Sequence, residues 1–218
     1  MTMLSGLRRT KRRLNTRVFK HVASRLGLIY LGYVDQRDDD HRLIRGLTVS
    51  PTHRDANYCV GTVQGYDIML VERRDTLVHR DTSRHRYRWV IVSVDLRTAR
   101  HMPQVFVGNN LRHDAFMAKY SRLVPVHSGM FGSPSASFSQ QFTIYARPDH
   151  AVEVERMFRP ELTAMMAEHF AHMSVEIVDG TILVYGEPSH LTAAMLERMV
   201  ANGIWLAQLL DTPGLIAA

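Results

Sequence analysis

Tyr87-Arg88-Trp89-Val90-Ile91-Val92-Ser93-Val94 decides the architecture. Tyr87, Trp89, Ile91 and Ser93 fall on one side of an extended chain and Arg88, Val90, Val92 and Val94 on the other. The stretch is also rich in the aromatic and β-branched residues that suit a pleated surface. The same period of two runs through the residues before it. Tyr58, Val60 and Thr62 alternate with Cys59, Gly61 and Val63, and Gln64-Gly65 has turn chemistry. From Tyr66 to Arg73, Ile68 and Leu70 alternate with Met69 and Val71, and Arg73 to His85 reads as a polar loop. Three strands in succession predict an antiparallel meander.

Towards the C-terminus, Gln104 to Val107 reads as a short strand, and Asn109 or Asn110 opens a short helix carrying Leu111, Ala115, Phe116 and Tyr120. His127 to Ser139 has the Gly, Ser and Pro content of a flexible surface loop. Gln141 to Ala146 is a further strand. The helical period then holds from about His150 to Phe170, with Asp149 as N-cap and Val154, Phe158, Leu162, Met165, Met166 and Phe170 inward. Pro160 lies inside that span and predicts a kink, or a restart with proline at the first helical position. Asp179-Gly180 between Ser174–Ile177 and Thr181–Tyr185 is a hairpin signal, because a type I′ turn needs two left-handed residues. Ser189 to Leu210 closes the chain as a helix whose only charges are Glu197 and Arg198. Its apolar surface wraps too far for one buried stripe, which predicts burial on two sides; Met199 to Leu210 as a homodimer seam and a membrane-dipping helix are the alternatives.

The front of the chain differs in charge. Residues 1–34 hold no acid and eight bases: Arg8, Arg9, Lys11, Arg12, Arg13, Arg17, Lys20 and Arg25. The remaining 19 of the 27 bases face all 21 acids, so the net charge of +6 belongs to this arm and the body is close to neutral. Leu7, Leu14, Val18, Val22 and Leu26 mark one apolar stripe of a helix, and Gly27 suits the position just past its end. Leu28 to Val34 then has strand composition, and Asp35 to His41 reads as a charged loop. At 218 residues, 45% hydrophobic and 22% charged, the proportions are globular and exclude disordered, collagen-like and disulfide-scaffold classes. The expectation is α+β: an antiparallel meander sheet packed by two C-terminal helices, with a basic amphipathic helix over 1–26 and a single domain over 27–218. The single Cys59 has no partner for an internal bridge, which fits a reducing compartment. No run of 18 apolar residues predicts a membrane-spanning helix. The acid-free start shares features with a transit peptide, but no small-residue cleavage site follows Leu26 to Val34, so the segment is read as part of the fold.

Several stretches together resemble an uncharacterised bacterial domain of unknown function, found in actinobacterial and other hypothetical proteins and often linked to membrane-spanning helices. They are Val60-Gly61-Thr62 with Gly65, His85 to Leu96 leading to Met102-Pro103, and Phe138, Phe142 and Ile144 with Asp149 and Ala151 behind them. Arg159-Pro160-Glu161-Leu162 and the Asp179-Gly180 hairpin complete the set. The resemblance spans roughly residues 27–210 and implies a bacterial origin and a cytoplasmic face; it implies no activity.

Candidate chemistry is sparse. His169 and His172 have the spacing of two metal ligands on one helical face, but no His-Glu-x-x-His or paired-Cys pattern supplies the rest, and a helix C-terminus accommodates both without metal. Asp38, Asp39, Asp40 and His41 lack the spaced carboxylates and central Gly of a calcium loop. Cys59 with His53 and Asp55 has the residue types of a thiol nucleophile, yet its position within a strand reads as core. No nucleophile elbow, phosphate loop or dinucleotide fingerprint occurs, and no cofactor is expected. A hydrolase or metal-dependent enzyme therefore has no anchor. The eight bases of the arm point instead to a non-enzymatic interaction or scaffold module at an acidic protein partner or the cytoplasmic membrane surface, with non-specific nucleic-acid binding as the alternative.

Overall fold

The computed structural model describes residues 3–34, 46, 53–78, 84–98, 101–112, 123–126, 132–188 and 191–212; at 3–13, 77, 78, 85 and 112 it describes the backbone alone. In chain order the elements are α1 Met3–Leu26, β1 Ile29–Gly32, β2 Arg54–Val63, β3 Tyr66–Val78, β4 Arg84–Asp95, β5 Val105–Asn109 and β6 Val124–Pro125. They continue with α2 Ala136–Gln141, β7 Phe142–Ala146, α3 Ala151–Met157, α4 Pro160–His169, β8 Ser174–Val178, β9 Thr181–Gly186 and α5 Ala193–Asp211. The fold is α+β. Its strands form one antiparallel sheet in the order β1-β2-β3-β4-β9-β8-β5-β7-β6.

The meander β2-β3-β4 forms one half of the sheet, and the β8-β9 hairpin docks on β4 to join it to the other half. Gln64 and Gly65 have φ of 50° and 76°, and Asp179 and Gly180 have 49° and 71°, so both hairpins turn through paired left-handed residues. Beyond Arg73 the expected polar loop is strand as far as Val78, paired in register with Arg84. Charge did not interrupt the ladder there, because the charged side chains find partners on the two faces of the sheet.

Those faces are distinct. Ile68, Leu70, Val90, Val92, Val94, Ile182 and Val184 belong to the cluster that also holds Phe19 and Val22 of α1 and Leu196, Met199 and Ile204 of α5. Met69, Val71, Trp89, Ile91, Leu183 and Tyr185 form a second cluster on the opposite face. Met199, Val200, Ile204, Leu206, Ala207 and Leu210 are all buried, and α5 packs on β4, β9 and α1. Gly203 permits that contact, since a Cβ there would lie 2.8 Å from a Val94 methyl. Thr192 caps the helix, accepting from Met195 N at 3.1 Å.

The span from His150 to Phe170 restarts at Pro160, one of the two expected outcomes: it is two helices, and Pro160 is the first residue of the second. Other local expectations are corrected. Asp149 does not cap. It sits in a 3-10 turn, Pro148–His150, and takes two bonds from Arg147, at 3.0 and 2.8 Å, while His150 holds the N-cap position. The end of the serine-rich loop is α2, capped by Ser135 and anchored by buried Phe138. Of the helix expected after Asn109, a 3-10 turn over Asn110–Arg112 is described; residues 113–122 lie outside the described residues, as do Asp38, Asp39, Asp40 and His41.

Candidate functional site

The helix α1 ends at Gly27, whose φ is 72°, and Leu28 N donates to Ala23 O at 2.8 Å, the six-residue bond of a Schellman stop. Its inward face is Asn15, Phe19, Val22 and Ala23, with Val18 and Leu26 half-buried. Each fully buried Phe or Val contributes about 1.5–3 kcal/mol of docking. The expected apolar stripe is therefore rotated. Leu14 is 57% exposed and Asn15 takes the buried place, because a hydrogen bond rather than hydrophobicity sets the rotation at that turn.

Leu14, Arg17, Lys20, His21, Ser24 and Arg25 form the outward stripe, at the three- and four-residue spacings of one helical face. Lys20 Nζ stands 5.2 Å from the centre of the Tyr30 ring. Arg25 pairs with Glu197 of α5 at 3.0 Å, but its side chain is 60% exposed, so this ion pair holds it weakly. Arg17 has no partner among the described residues. The structure thus brings Arg17, Lys20 and Arg25 onto one solvent face. Arg8, Arg9, Lys11, Arg12 and Arg13 lie on the same helix, and their side chains are outside what is described. Along the chain leaving α1, on and just after the edge strand β1, Ile29, Leu31 and Tyr33 are all exposed; Ile29 pairs with Val60 on the sheet face away from α1, whereas Tyr30 faces the helix.

A buried polar seam holds α1 on the sheet. Glu72 of β3 is fully buried; its Oε2 accepts from Asn15 Nδ2 at 3.2 Å and from Asn57 Nδ2 at 3.0 Å. Its Oε1 accepts from Arg74 Nη2 at 3.0 Å and from Arg88 Nη2. Asn57 Oδ1 in turn accepts from Thr16 Oγ1 at 3.0 Å and Tyr30 OH at 2.9 Å. Burial pushes the Glu72 carboxyl up, but hydrogen bonds and charge from Arg88, with Asn15 and Arg74, outweigh it and hold the group below its ordinary value. Asn57 reaches this seam because β2 is irregular: the pairing shifts between Ala56 and Cys59, and Asn57 has φ of 57°. In a regular strand it would share a face with Asp55. The bulge turns it towards α1 instead, and asparagine tolerates the left-handed conformation this requires.

Asp55 does the opposite job on the other face. Arg73 Nε and Nη2 donate to its two carboxylate oxygens at 2.8 and 2.7 Å, with both side chains buried. A further buried carboxylate, Glu176 of β8, accepts from Tyr185 OH at 2.6 Å and Gln104 Nε2 at 3.2 Å. Sequence reasoning missed these groups. A usable signal was the parity of β3, because Glu72 continues the side of Ile68 and Leu70 and Arg73 continues that of Met69 and Val71.

The candidate enzyme residues are not brought together. Cys59 is fully buried in the helix-side cluster, its thiol is pushed up to about 12 by burial, and Asp55 is engaged by Arg73 on the opposite face. A thiol-reactive dye is therefore expected to label the folded protein at least about tenfold more slowly than the urea-unfolded chain; equal rates would place Cys59 at the surface. His169 is the last residue of α4 and stacks on Trp205 at 4.6 Å, whereas His172 lies in the following turn with φ of 65°. The helix ends between them, so they do not share a helical face. Among the described residues no group of three or more His, Cys, Asp or Glu is placed to hold a metal ion.

No protein-family model and no curated protein matches the chain. One solved structure is similar in fold. It is the crystal structure of the mycobacterial trehalose monomycolate transport factor A, TtfA, with a TM-score of 0.61 over 90% of this chain and 94% of that one, at 10% identity. At that identity the likeness concerns the fold alone, and the resemblance drawn from turn and packing positions gains no family assignment. Among the described residues no helix is long and apolar enough to cross a membrane.

Proposed function

We propose that the protein is a non-enzymatic interaction module whose docked helix α1 presents its outer face to the anionic cytoplasmic leaflet of the membrane. The observation that carries this reading is the pairing of exposed bases with exposed apolar side chains. Arg17, Lys20 and Arg25 share a helical face with Leu14, and the edge strand that follows α1 also exposes Ile29, Leu31 and Tyr33. Bases near an anionic surface contribute about 1 kcal/mol each, and aromatic and aliphatic side chains gain by entering the interfacial zone. An acidic protein partner would use the bases but leave the neighbouring apolar side chains unexplained. Nucleic acid is less well served, because Phe19, the one aromatic residue of α1, is wholly buried and offers no stacking platform. The neighbour of similar fold is named for transport, which supports a module without catalysis.

Deleting α1 would not test this, since Phe19 and Val22 belong to the core and their loss would report on folding. The informative variant reverses surface charge. Arg17→Glu with Lys20→Glu is expected to reduce flotation with phosphatidylserine-containing vesicles by at least about tenfold and leave the melting temperature nearly unchanged. Undiminished flotation of the reversed protein, or equal flotation of the wild type on neutral vesicles, refutes the membrane reading. Salt-sensitive binding of generic DNA without vesicle binding would install the nucleic-acid reading instead.

A further inference from the structure

A cavity of about 800 Å³ opens where the end of β5, the turn between α4 and β8 and the first turns of α5 meet. None of its described lining residues lies in α1, so it is separate from the surface proposed above. The volume falls within the roughly 300–1,000 Å³ of small-molecule sites, and the wall is mixed in the way such sites are. Leu111 and Met195 supply flexible apolar surface; Asn109, His172 and Arg198 supply polar groups.

The polar groups are mostly donors with unused capacity. Asn109 is 3% exposed, and its Oδ1 accepts from Leu111 N at 3.0 Å. Its amide Nδ2 has no hydrogen bond to another described residue and is available to a ligand in the cavity. Arg198 is exposed at the wall and has no carboxylate partner among the described residues; His172 is held at the wall by its left-handed turn. The N-terminus of the 19-residue α5 reaches the same space through Thr192 and Ala194, with no acid in its first turn to offset the positive end of the helix. Among the described residues Glu187 is the single acid on the wall, and it is itself engaged in an interaction within the chain.

We infer that this cavity binds an amphiphilic carboxylate, its head on Arg198 and Asn109 and its chain along Leu111 and Met195. A guanidinium and an amide donor match a carboxylate, and thioether and leucine side chains adapt to an alkyl chain. Neither half of the wall alone explains the other.

Calorimetric titration of the full chain tests this, with dodecanoate below its micellar concentration as the probe, octyl glucoside as the uncharged counterpart and inorganic phosphate as the anion without a chain. Saturable one-site binding of dodecanoate is expected, with little binding of either control. Arg198→Glu should weaken it by about tenfold or more, and Ala194→Trp, which fills the cavity, should abolish it. The Arg17→Glu, Lys20→Glu protein should bind as the wild type does. Absence of saturable binding, unchanged affinity in Arg198→Glu, octyl glucoside or phosphate binding as tightly as dodecanoate, or loss of binding in the α1 variant would each overturn the assignment. Arg198 is exposed, so its variant remains informative even if Ala194→Trp fails to fold.

Discussion

Replacing Glu72 with alanine is expected to destabilise the protein by about 3 kcal/mol and to loosen α1 from the sheet. The magnitude follows from which partners can recover. Arg74 and Arg88 are partly exposed, with side chains at 42% and 35%, and can turn to water once the carboxylate is gone. Asn15 and Asn57 cannot, because both are buried, and an orphaned buried donor costs about 1–3 kcal/mol. At this chain length each kcal/mol lowers the melting temperature by roughly 2–4 °C, so a fall of about 10 °C is expected. Hydrogen exchange should show where it is felt, with the amides of α1 near Asn15 and Phe19 losing protection ahead of those in β4 and β9. A melting temperature within about 2 °C of wild type would remove Glu72 from the role of fastening α1.

The same carboxylate sets a pH dependence. Its folded-state value lies below the ordinary 4.5, so the unfolded chain takes up a proton first as the pH falls. The stability it contributes is therefore complete above 4.5, declines below it, and is lost once the pH passes through the lowered folded value. The stability gap between wild type and Glu72→Ala should be widest near neutral pH and close in acid. A gap that widens on acidification would contradict the sign of the shift.

The legible part of this fold was the part written in local pattern. Alternation in Tyr87 to Val94, the paired left-handed turns and the glycine stop at Gly27 each depend on residues close in sequence, and each reads directly. The seam was not legible, because its members come from α1, β1, β2, β3 and β4, and a charge in a strand looks like an exposed charge until its partners are placed. Asn57 shows why: alternation assigns it to the face of Asp55, and only a register shift turns it towards Asn15 and Thr16. The rotation of α1 failed for the same reason. Leu14 outranks Asn15 on any hydrophobic scale, yet a buried carboxylate across the interface reversed their places. The cavity was equally hidden, since its walls combine residues near 110, 172 and 195.

The larger loss is expected at Asp55. Arg73 is 0% exposed and gives two charge-assisted bonds to Asp55, so Asp55→Ala strips those two bonds from a guanidinium that cannot turn to water. Breaking a buried pair from one side costs about 3–5 kcal/mol, and the absence of any solvent route for Arg73 puts this case at the upper end, above Glu72→Ala. Replacing both partners, Asp55→Ala with Arg73→Met, should recover much of that loss, because Met69, Val71 and Trp89 on the same face offer apolar neighbours to a thioether. Urea unfolding of the single and double variants measures the difference, and a double variant no more stable than Asp55→Ala would mean that the pair's geometry, and not its unpaired charge, carries the cost. Because this pair lies on the face away from α1, vesicle flotation of the folded Asp55 variants should match wild type. That separation distinguishes residues that hold the sheet from those that hold the helix proposed to face the membrane.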